Sequence, residues 1–486
     1  MSVARIEIHN ETGCKIHGLE LNTRKRLTNK FKYEIPGARF MPAVRLGRWD
    51  GTKTFFALGG TTYINLLPEI VEILDDEGYT IELDDQRQYQ NSFDLQPVTE
   101  DSYSHIKWPE KHPMAGEPVL LRDYQVEAIN NFIENPQSIQ CLATGAGKTI
   151  VSAVLAHRCE QHGRTVIVVP NTDLVRQTES DYKLIGLDVG VFYGDRKEYT
   201  KTHTICTWQS LNSLFKKTKK GEAPIPFADF IDGVVCVMID EAHGLKADAL
   251  LTMMTSVMAH IPIRWAFTGT IPKEEFEFRA LQVSVGEVIG GVSAAELQDK
   301  GVLSNCHVNI VQMIDHIEYN DYQAELKYLM STVGRLQFMA RMIHEASKTG
   351  NTLVLVNRIE TGEQLNALLL GSTFVNGSTK STARKEQYDS IADSDHQIII
   401  ATYGVAAVGI NIPRIFNLVL IEPGKSFVRV IQSIGRGLRK AADKDHVEIF
   451  DICSTAKFSK RHLTSRKKYY NEAQYPFTIT KTEWDD

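Results

Sequence analysis

The chain predicts an α/β protein: two tandem doubly wound parallel-sheet lobes preceded by a small N-terminal α+β domain. Three observations carry that expectation. Short all-apolar runs recur from about residue 115 onward, helical stretches separate them, and residues 1–100 follow a different pattern.

Ala4–His9 alternates as a half-buried strand does, Ile64–Glu77 has helical apolar spacing, and Tyr79–Leu83 alternates again. These give residues 1–100 the look of a separate α+β domain. The polar stretch Gln90–Pro118, with Pro97, Pro109, Pro113 and Pro118, reads as a linker. Beyond it lie Thr165–Val169, Val234–Ile239, Trp265–Phe267, Leu353–Val356, Ile398–Ile400, Leu418–Ile421 and Val447–Phe450. Continuous apolar runs signal parallel strands buried on both faces, and their alternation with helices gives βαβ units. They are too many for one sheet of ordinary size. The expected lobes are residues 115–300 and 301–486, with Leu303–Asp315 leading from one into the other.

A length of 486 residues allows roughly three domains. Hydrophobic content of 43% and charged content of 23% are ordinary for a soluble globular chain. The seven cysteines include no CxxC pair and no zinc-like histidine spacing, which predicts reduced, mostly buried thiols. Arg5 and Glu7 interrupt any signal peptide, and no apolar run approaches the roughly 18 residues of a membrane span. A soluble, cytoplasmic protein with no membrane partner is expected. The net charge of −6 hides a split, because residues 1–60 hold eleven Lys/Arg against five Asp/Glu, a local +6. A second basic cluster comprises Lys457, Lys460, Arg461, Arg466, Lys467 and Lys468. Local basic surface suits phosphate-backbone contact, although a solvated charged face explains charge counts equally simply.

The chemistry begins at Ala143–Thr149, which follows the apolar Ile139–Leu142 and precedes a helical pattern over Ile150–Arg158. Strand, glycine loop and helix in that order form a phosphate-binding loop. Thr144, Gly145, Ala146 and Gly147 supply its backbone, Lys148 reaches the β- and γ-phosphates of ATP, and Thr149 offers a hydroxyl to Mg²⁺. The first glycine of the strict loop pattern is Leu142 here. Asp240-Glu-Ala-His243 follows the run Val234–Ile239, so Asp240 is the second metal candidate. Glu241 is the expected base for the attacking water, and His243 has a weaker case. Arg436 and Arg439 stand three apart on the helical pattern Phe427–Lys440, with Gln432 on the same face. Both guanidiniums can therefore meet one anion, and Gln432 can sense the γ-phosphate. Lys148, Asp240, Glu241, Gln432, Arg436 and Arg439 form the expected catalytic set, with hydrolysis driving the two lobes against each other.

In this order the strings resemble the motifs of superfamily 2 helicases and translocases, whose lobes are RecA-like. Leu121-Arg-Asp-Tyr-Gln125 resembles the adenine-reading segment, which makes Arg122 and Gln125 cofactor candidates. Pro170, Asn171 and Gln177 fall in the counterpart of motif Ia, and Thr207 and Gln209 in the next strand-contacting motif. Thr268-Gly-Thr270 is similar to motif III, and Asn357 with Arg358 to motif IV. Thr402 and Gly404, followed by Gly409 and Asn411, resemble motif V, where the family often has Asp in place of Asn411. Such hydroxyls, amides and backbone groups hold sugar and phosphate without reading sequence.

Tyr33–Phe56 is further similar to the N-terminal domain of phage UvsW-type helicases. That likeness implies fork regression, Holliday-junction branch migration and unwinding of R-loops or D-loops. The implied partners are DNA, branched, duplex or hybrid with RNA, and single-stranded-DNA-binding or recombination proteins. A monomer with 3′→5′ polarity is expected. Arg39, Arg45 and Arg48 around Trp49 suit a duplex- or junction-gripping surface, the competing reading being that Phe40 and Trp49 are core residues. Three other functions compete with DNA remodelling: an RNA helicase, the motor part of a restriction system, and an ATP-gated DNA-binding module without productive turnover.

Overall fold

The computed structural model describes residues 2–88, 93–110, 114–242, 247–377, 394–405, 414–426, 434, 435, 438, 441 and 443–484. The chain forms two compact units, Met1–Leu142 with Gly147–Gly291, and Ala143–Ala146 with Val292–Asp486.

The first unit opens with a four-stranded sheet in the order Thr61–Tyr63, Gly13–His17, Val3–Ile8, Thr80–Asp85. Ala4, Ile6 and Ile8 alternate inward, as the sequence predicts. Helix Leu67–Asp76 buries Ile70, Ile73 and Leu74 in the same core. That core also takes in Leu251, Phe276, Ala280 and Val283 from the helices Ala247–Met254 and Glu275–Val285. The expected separation near residue 100 is therefore not a boundary between two cores. A sheet this small covers too little apolar surface alone, and the neighbouring helices complete it. Polar bonds reinforce the union: Gln137 Nε2 donates to Glu11 O at 2.7 Å, and Arg279 pairs with Glu69.

The described part of the expected linker is pinned rather than loose. Val98 N donates to Asn130 Oδ1 at 2.9 Å, Asn130 Nδ2 returns a bond to Val98 O at 3.0 Å, and Tyr103 is buried with its hydroxyl 2.7 Å from His157 Nδ1. The prolines obscured an apolar side formed by Leu95, Val98 and Tyr103.

The second sheet of this unit has eight strands among the described residues, ordered Arg196–Lys197, Val189–Tyr193, His203–Thr207, Arg164–Val169, Val234–Asp240, Ile263–Thr268, Gln137–Leu142, Glu287–Val292. Pairing is parallel from Val189–Tyr193 through to Gln137–Leu142. Both faces are covered, which is why Val234–Ile239 reads as an unbroken apolar run.

The second unit carries seven described strands, all parallel, in the order Thr373–Val375, Ile398–Thr402, Thr352–Val356, Asn417–Ile421, His446–Ser454, Asn305–Met313, Phe477–Thr482. Leu303–Asp315 is thus no connector, because its core is a nine-residue strand inside this sheet. Its polar alternation, with His307 and Asn309 between buried Val308 and Ile310, concealed that role. One member of the basic C-terminal cluster is also reassigned. Arg466 is fully buried, with Nε 2.7 Å from Asp451 Oδ2, so it contributes nothing to a basic surface. All seven cysteines are unpaired thiols, six of them buried. No helix among the described residues is long and apolar enough to cross a membrane.

Candidate active site

Strand Gln137–Leu142 ends in the glycine loop, and helix Lys148–Cys159 begins at its far side. Gly145 and Gly147 hold φ of 92° and 84°, a left-handed backbone that favours glycine. Gly147 is the N-cap of the helix, and no side chain caps its first turn. A Cβ on Gly147 would collide with the side-chain amide of Gln125. Gln125 is buried and held there because its Oε1 accepts the Arg122 N–H at 3.0 Å. The Arg122 guanidinium turns instead to the Tyr124 hydroxyl at 2.9 Å.

Lys148 Nζ donates to Glu241 Oε1 at 2.5 Å and lies 4.0 Å from Asp240 Oδ1. The three side chains keep 11%, 16% and 19% exposure, so none is sealed from solvent. Asp240 closes the strand Val234–Asp240, and its Oδ1 accepts the Glu241 N–H at 3.0 Å. That bond accompanies a left-handed φ of 52° at Glu241. Such a conformation costs about 1–3 kcal/mol in a residue with a Cβ and is characteristic of functional sites. Burial pushes the nearby Cys141 thiol up, against the pull of Lys148, so the thiol stays protonated.

The donor set suits ATP and Mg²⁺. An uncapped helix start, two left-handed glycines and a lysine at the first helical position fit phosphates. The Asp240 carboxylate, with the Thr149 hydroxyl one residue beyond Lys148, offers the hard oxygen ligands that Mg²⁺ prefers. The amide of Gln125 stands against Gly147 at the end of the loop.

Thr268, expected to touch nucleic acid, does something else. It is fully buried, its Oγ1 donates to Thr270 O at 2.6 Å, and it accepts from Thr270 N at 3.3 Å. The turn so formed brings Gly269 N to 3.5 Å from Glu241 Oε2. Its hydroxyl serves the turn because a buried polar group must find a partner inside the protein. Gly269 is a site residue that the sequence reading did not single out.

Four of the expected strand-contacting residues do meet. Pro170, Asn171, Thr207 and Gln209, with Tyr193 and Gly194, line a cavity of about 360 Å³. Asn171 caps helix Thr172–Leu184 by accepting Leu174 N at 2.9 Å, and Thr207 caps helix Trp208–Lys220. Two helix N-termini thus open on one cavity. Gln209 Nε2 donates to Pro170 O at 3.3 Å, joining its walls. Gln177 is exposed on the first of these helices and is not part of the cavity lining. Tyr193 and Gly194 were missed, and only their place at the end of the apolar strand Val189–Tyr193 could have pointed to them.

In the second unit Asn357 donates through Nδ2 to Glu422 O, and Arg358 stands at the N-cap position of helix Ile359–Leu368 without a side-chain capping bond, its Nη2 3.5 Å from Gln323 Oε1. Thr402 ends its strand half-buried, and Gly404 is exposed just beyond. His243, Gly409, Asn411, Gln432, Arg436 and Arg439 lie outside the described residues. In the N-terminal region Arg39, Arg45 and Arg48 are exposed, and so is Phe40 at 61%, which removes Phe40 from the core. Trp49 is half-buried, its Nε1 donating to Thr52 O at 2.9 Å.

Comparison with known proteins adds to this geometry. Residues 119–273 match the family described as "Type III restriction enzyme, res subunit", and residues 334–441 match "Helicase conserved C-terminal domain". The chain is 24% identical to the ATP-dependent DNA helicase uvsW of Enterobacteria phage T4, across 96% of this chain and 93% of that protein. It is 24% identical to the DNA 3′-5′ helicase XPB of Mycobacterium tuberculosis, across 76% of this chain and 67% of that protein. Its fold is similar to a fragment of a putative HsdR subunit of a type I restriction enzyme from Vibrio vulnificus, with a TM-score of 0.56 and 16% identity over 97% of this chain and 85% of that one.

Proposed function

We propose that this chain, which belongs to the superfamily 2 helicases, is an ATP-dependent DNA helicase that remodels branched DNA: regressing forks, migrating Holliday junctions and unwinding R-loops or D-loops. The observation that carries the reading is the meeting of Lys148 with Glu241 at 2.5 Å, beside the left-handed Gly147 and the Gln125 amide. A protein that only bound DNA would need no such pair. The branched-DNA specificity draws on the likeness to the phage T4 helicase, which runs through the N-terminal region as well as both lobes. The 3′→5′ polarity draws on the relatives named as 3′-5′ helicases.

In this reading Lys148 exchanges its carboxylate partner for the β- and γ-phosphates of ATP. Thr149 and Asp240 would hold Mg²⁺, which would supply charge neutralisation to the phosphates when bound. Release from Lys148 frees Glu241 to orient and deprotonate water. Gly269, fixed by the Thr268 turn, reports the state of Glu241 to the rest of the lobe. Arg436, Arg439 and Gln432 are proposed to reach the phosphates, an arginine in that role being worth roughly 10³–10⁵ in rate. Pro170, Asn171, Thr207 and Gln209 hold the DNA backbone through helix N-termini and amides. Residues 1–100 add the basic DNA-binding surface, with Arg39, Arg45 and Arg48 exposed upon it.

Two measurements test this. Lys148→Ala, and separately Arg436→Ala, should abolish DNA-stimulated phosphate release while DNA binding persists, and unchanged turnover in both would remove the mechanism. ATP-dependent unwinding, compared on a four-way junction, a fork, an R-loop and a linear duplex, should favour the branched forms. Activity confined to linear RNA duplexes would overturn the assignment.

A further inference from the structure

Residues 35–51 leave the N-terminal domain as a finger. Its base is a two-stranded ladder in which Lys32, Tyr33 and Glu34 pair with Thr54, Lys53 and Thr52. The base is anchored, because the Phe55 ring packs on Tyr33, Tyr63 and Phe276 with centroids about 6 Å apart. The neck is tied as well. Ile35 N donates to Gly51 O at 2.9 Å, Asp50 Oδ1 accepts from Thr52 N and Oγ1 at 3.0 and 2.6 Å, and Lys32 Nζ lies 2.7 Å from Asp50 Oδ2. Gly51, at φ 79°, lets Ala38 seat itself against the neck, since a Cβ there would stand 3.0 Å from the Ala38 methyl. The finger is therefore a braced structure and not a loose loop.

Its tip consists of a 3₁₀ turn, Ala38–Phe40, followed by one helical turn, Pro42–Arg45. Phe40, Met41 and Leu46 point outward with 61%, 40% and 64% exposure. Three large apolar side chains exposed within residues 40–46 of one short segment are unfavourable unless something covers them. Their surroundings say what. Residues 35–51 contain Arg39, Arg45 and Arg48 against the single acid Asp50, which Lys32 already pairs. The Arg39 guanidinium sits 4.8 Å from the centre of the Phe40 ring, stiffening the aromatic and keeping the cation beside it. Apolar faces ringed by arginines match a polyanion that also presents flat apolar surface, which is nucleic acid with its bases exposed. A protein partner would have to bring acidic groups around an apolar pocket.

We infer that Phe40, Met41 and Leu46 form a strand-separating wedge that packs on unpaired bases at a DNA branch point, while Arg39, Arg45 and Arg48 hold the flanking phosphates. The inference rests on the DNA-helicase reading and deepens it. It also explains why a sheet with a complete core carries this excursion.

The test uses the full chain with Phe40→Ser/Leu46→Ser and, as a conservative counterpart, Phe40→Trp. Both changes lie on exposed side chains, so the unfolding midpoint should not move. Junction strands separated per ATP hydrolysed should fall at least tenfold in the double variant and remain near wild type in Phe40→Trp. Emission from 2-aminopurine placed at the branch point should respond to wild-type binding and not to the double variant. An unchanged ratio overturns the wedge, whether both rates stay level or fall in proportion, the latter marking a general grip. An unchanged 2-aminopurine response overturns it too, as does loss of coupling in Phe40→Trp equal to that of the double variant. If wild type separates no DNA strands on any substrate, the helicase reading itself fails. If wild type and variant separate them equally well, only the wedge does.

Discussion

Glu241 and Glu422 occupy matching places in two different sheets and live very different lives. Each stands one residue past a buried parallel strand, Val234–Asp240 or Asn417–Ile421, and each holds a left-handed φ, 52° and 41° respectively. Each faces a cation, Lys148 at 2.5 Å and Arg335 at 3.2 Å. The difference lies in what else surrounds them. Arg335 and Asp315 are wholly buried and Glu422 nearly so. Ser459 Oγ donates to Glu422 Oε2 at 2.7 Å, and Arg335 also bonds Asp315 and Leu329 O. Burial drives the Glu422 carboxyl above its usual range, with Arg335 opposing. The Lys148 and Glu241 side chains instead keep 11% and 16% exposure, and Gly269 N stands 3.5 Å from Glu241 Oε2. Strand-end geometry and backbone strain alone therefore do not make a carboxylate catalytic. In the proposed reading, what sets Glu241 apart is a cation that can be traded for a ligand.

The largest expected effect separates the two glutamates directly. Glu241→Gln should lower turnover by about 10²–10⁴-fold, the range for losing a positioned base, while ATP binding remains. Steady-state phosphate release and a nucleotide-binding titration check it, and a turnover close to wild type would place Glu241 with Glu422 as a structural group. Next comes Arg335→Met, which strands Glu422 and Asp315 without their cation and should cost about 3–5 kcal/mol of stability. Denaturant unfolding measures this, and adding Glu422→Leu and Asp315→Leu should recover much of the loss. A small effect from the single change would mean the buried cluster is as exchangeable as the first one.

The smallest effect belongs to a third pair, Glu179 with Arg196 at 2.8 Å and Lys183 at 2.7 Å. Hydrogen bonds from Arg196, then Lys183, hold the Glu179 carboxyl down to about 2 from 4.5. Because its folded value is depressed, its stabilisation is present above pH 4.5 and fades as pH falls towards 2. Glu179→Gln should flatten that acid slope by removing the stabilisation at neutral pH, a modest loss because Arg196 and Lys183 are partly exposed. A neutral-pH loss matching that of Arg335→Met would show that partial exposure does not weaken such pairs.

Much of this was legible in the chain. Unbroken apolar runs marked the central strands of both parallel sheets, since strands covered on both faces need no polar side. The glycine loop, Lys148 and the Asp240-Glu241 string announced a candidate nucleotide site, and the structure does bring Lys148 to Glu241. The strand Asn305–Met313 was not legible, because its alternating face mimics a connector. Nor was the inward turn of Thr268, since a hydroxyl reads the same whether it meets DNA or a backbone carbonyl. The bonded linker and the shared core of the N-terminal sheet were hidden for a related reason: periodicity shows that a face is apolar without naming what covers it.

By itself the sequence determined the kind of protein this is, since glycine, lysine and carboxylate at fixed spacings admit few chemistries other than binding and splitting a nucleotide. Only the tertiary structure decided which charged groups are tools and which are braces. Arg466 looked like surface charge and is a fully buried partner of Asp451, whereas Phe40, which the sequence left open between core and surface, stands in water. Burial and partner choice arise from contacts between residues far apart in the chain, and no local pattern records them.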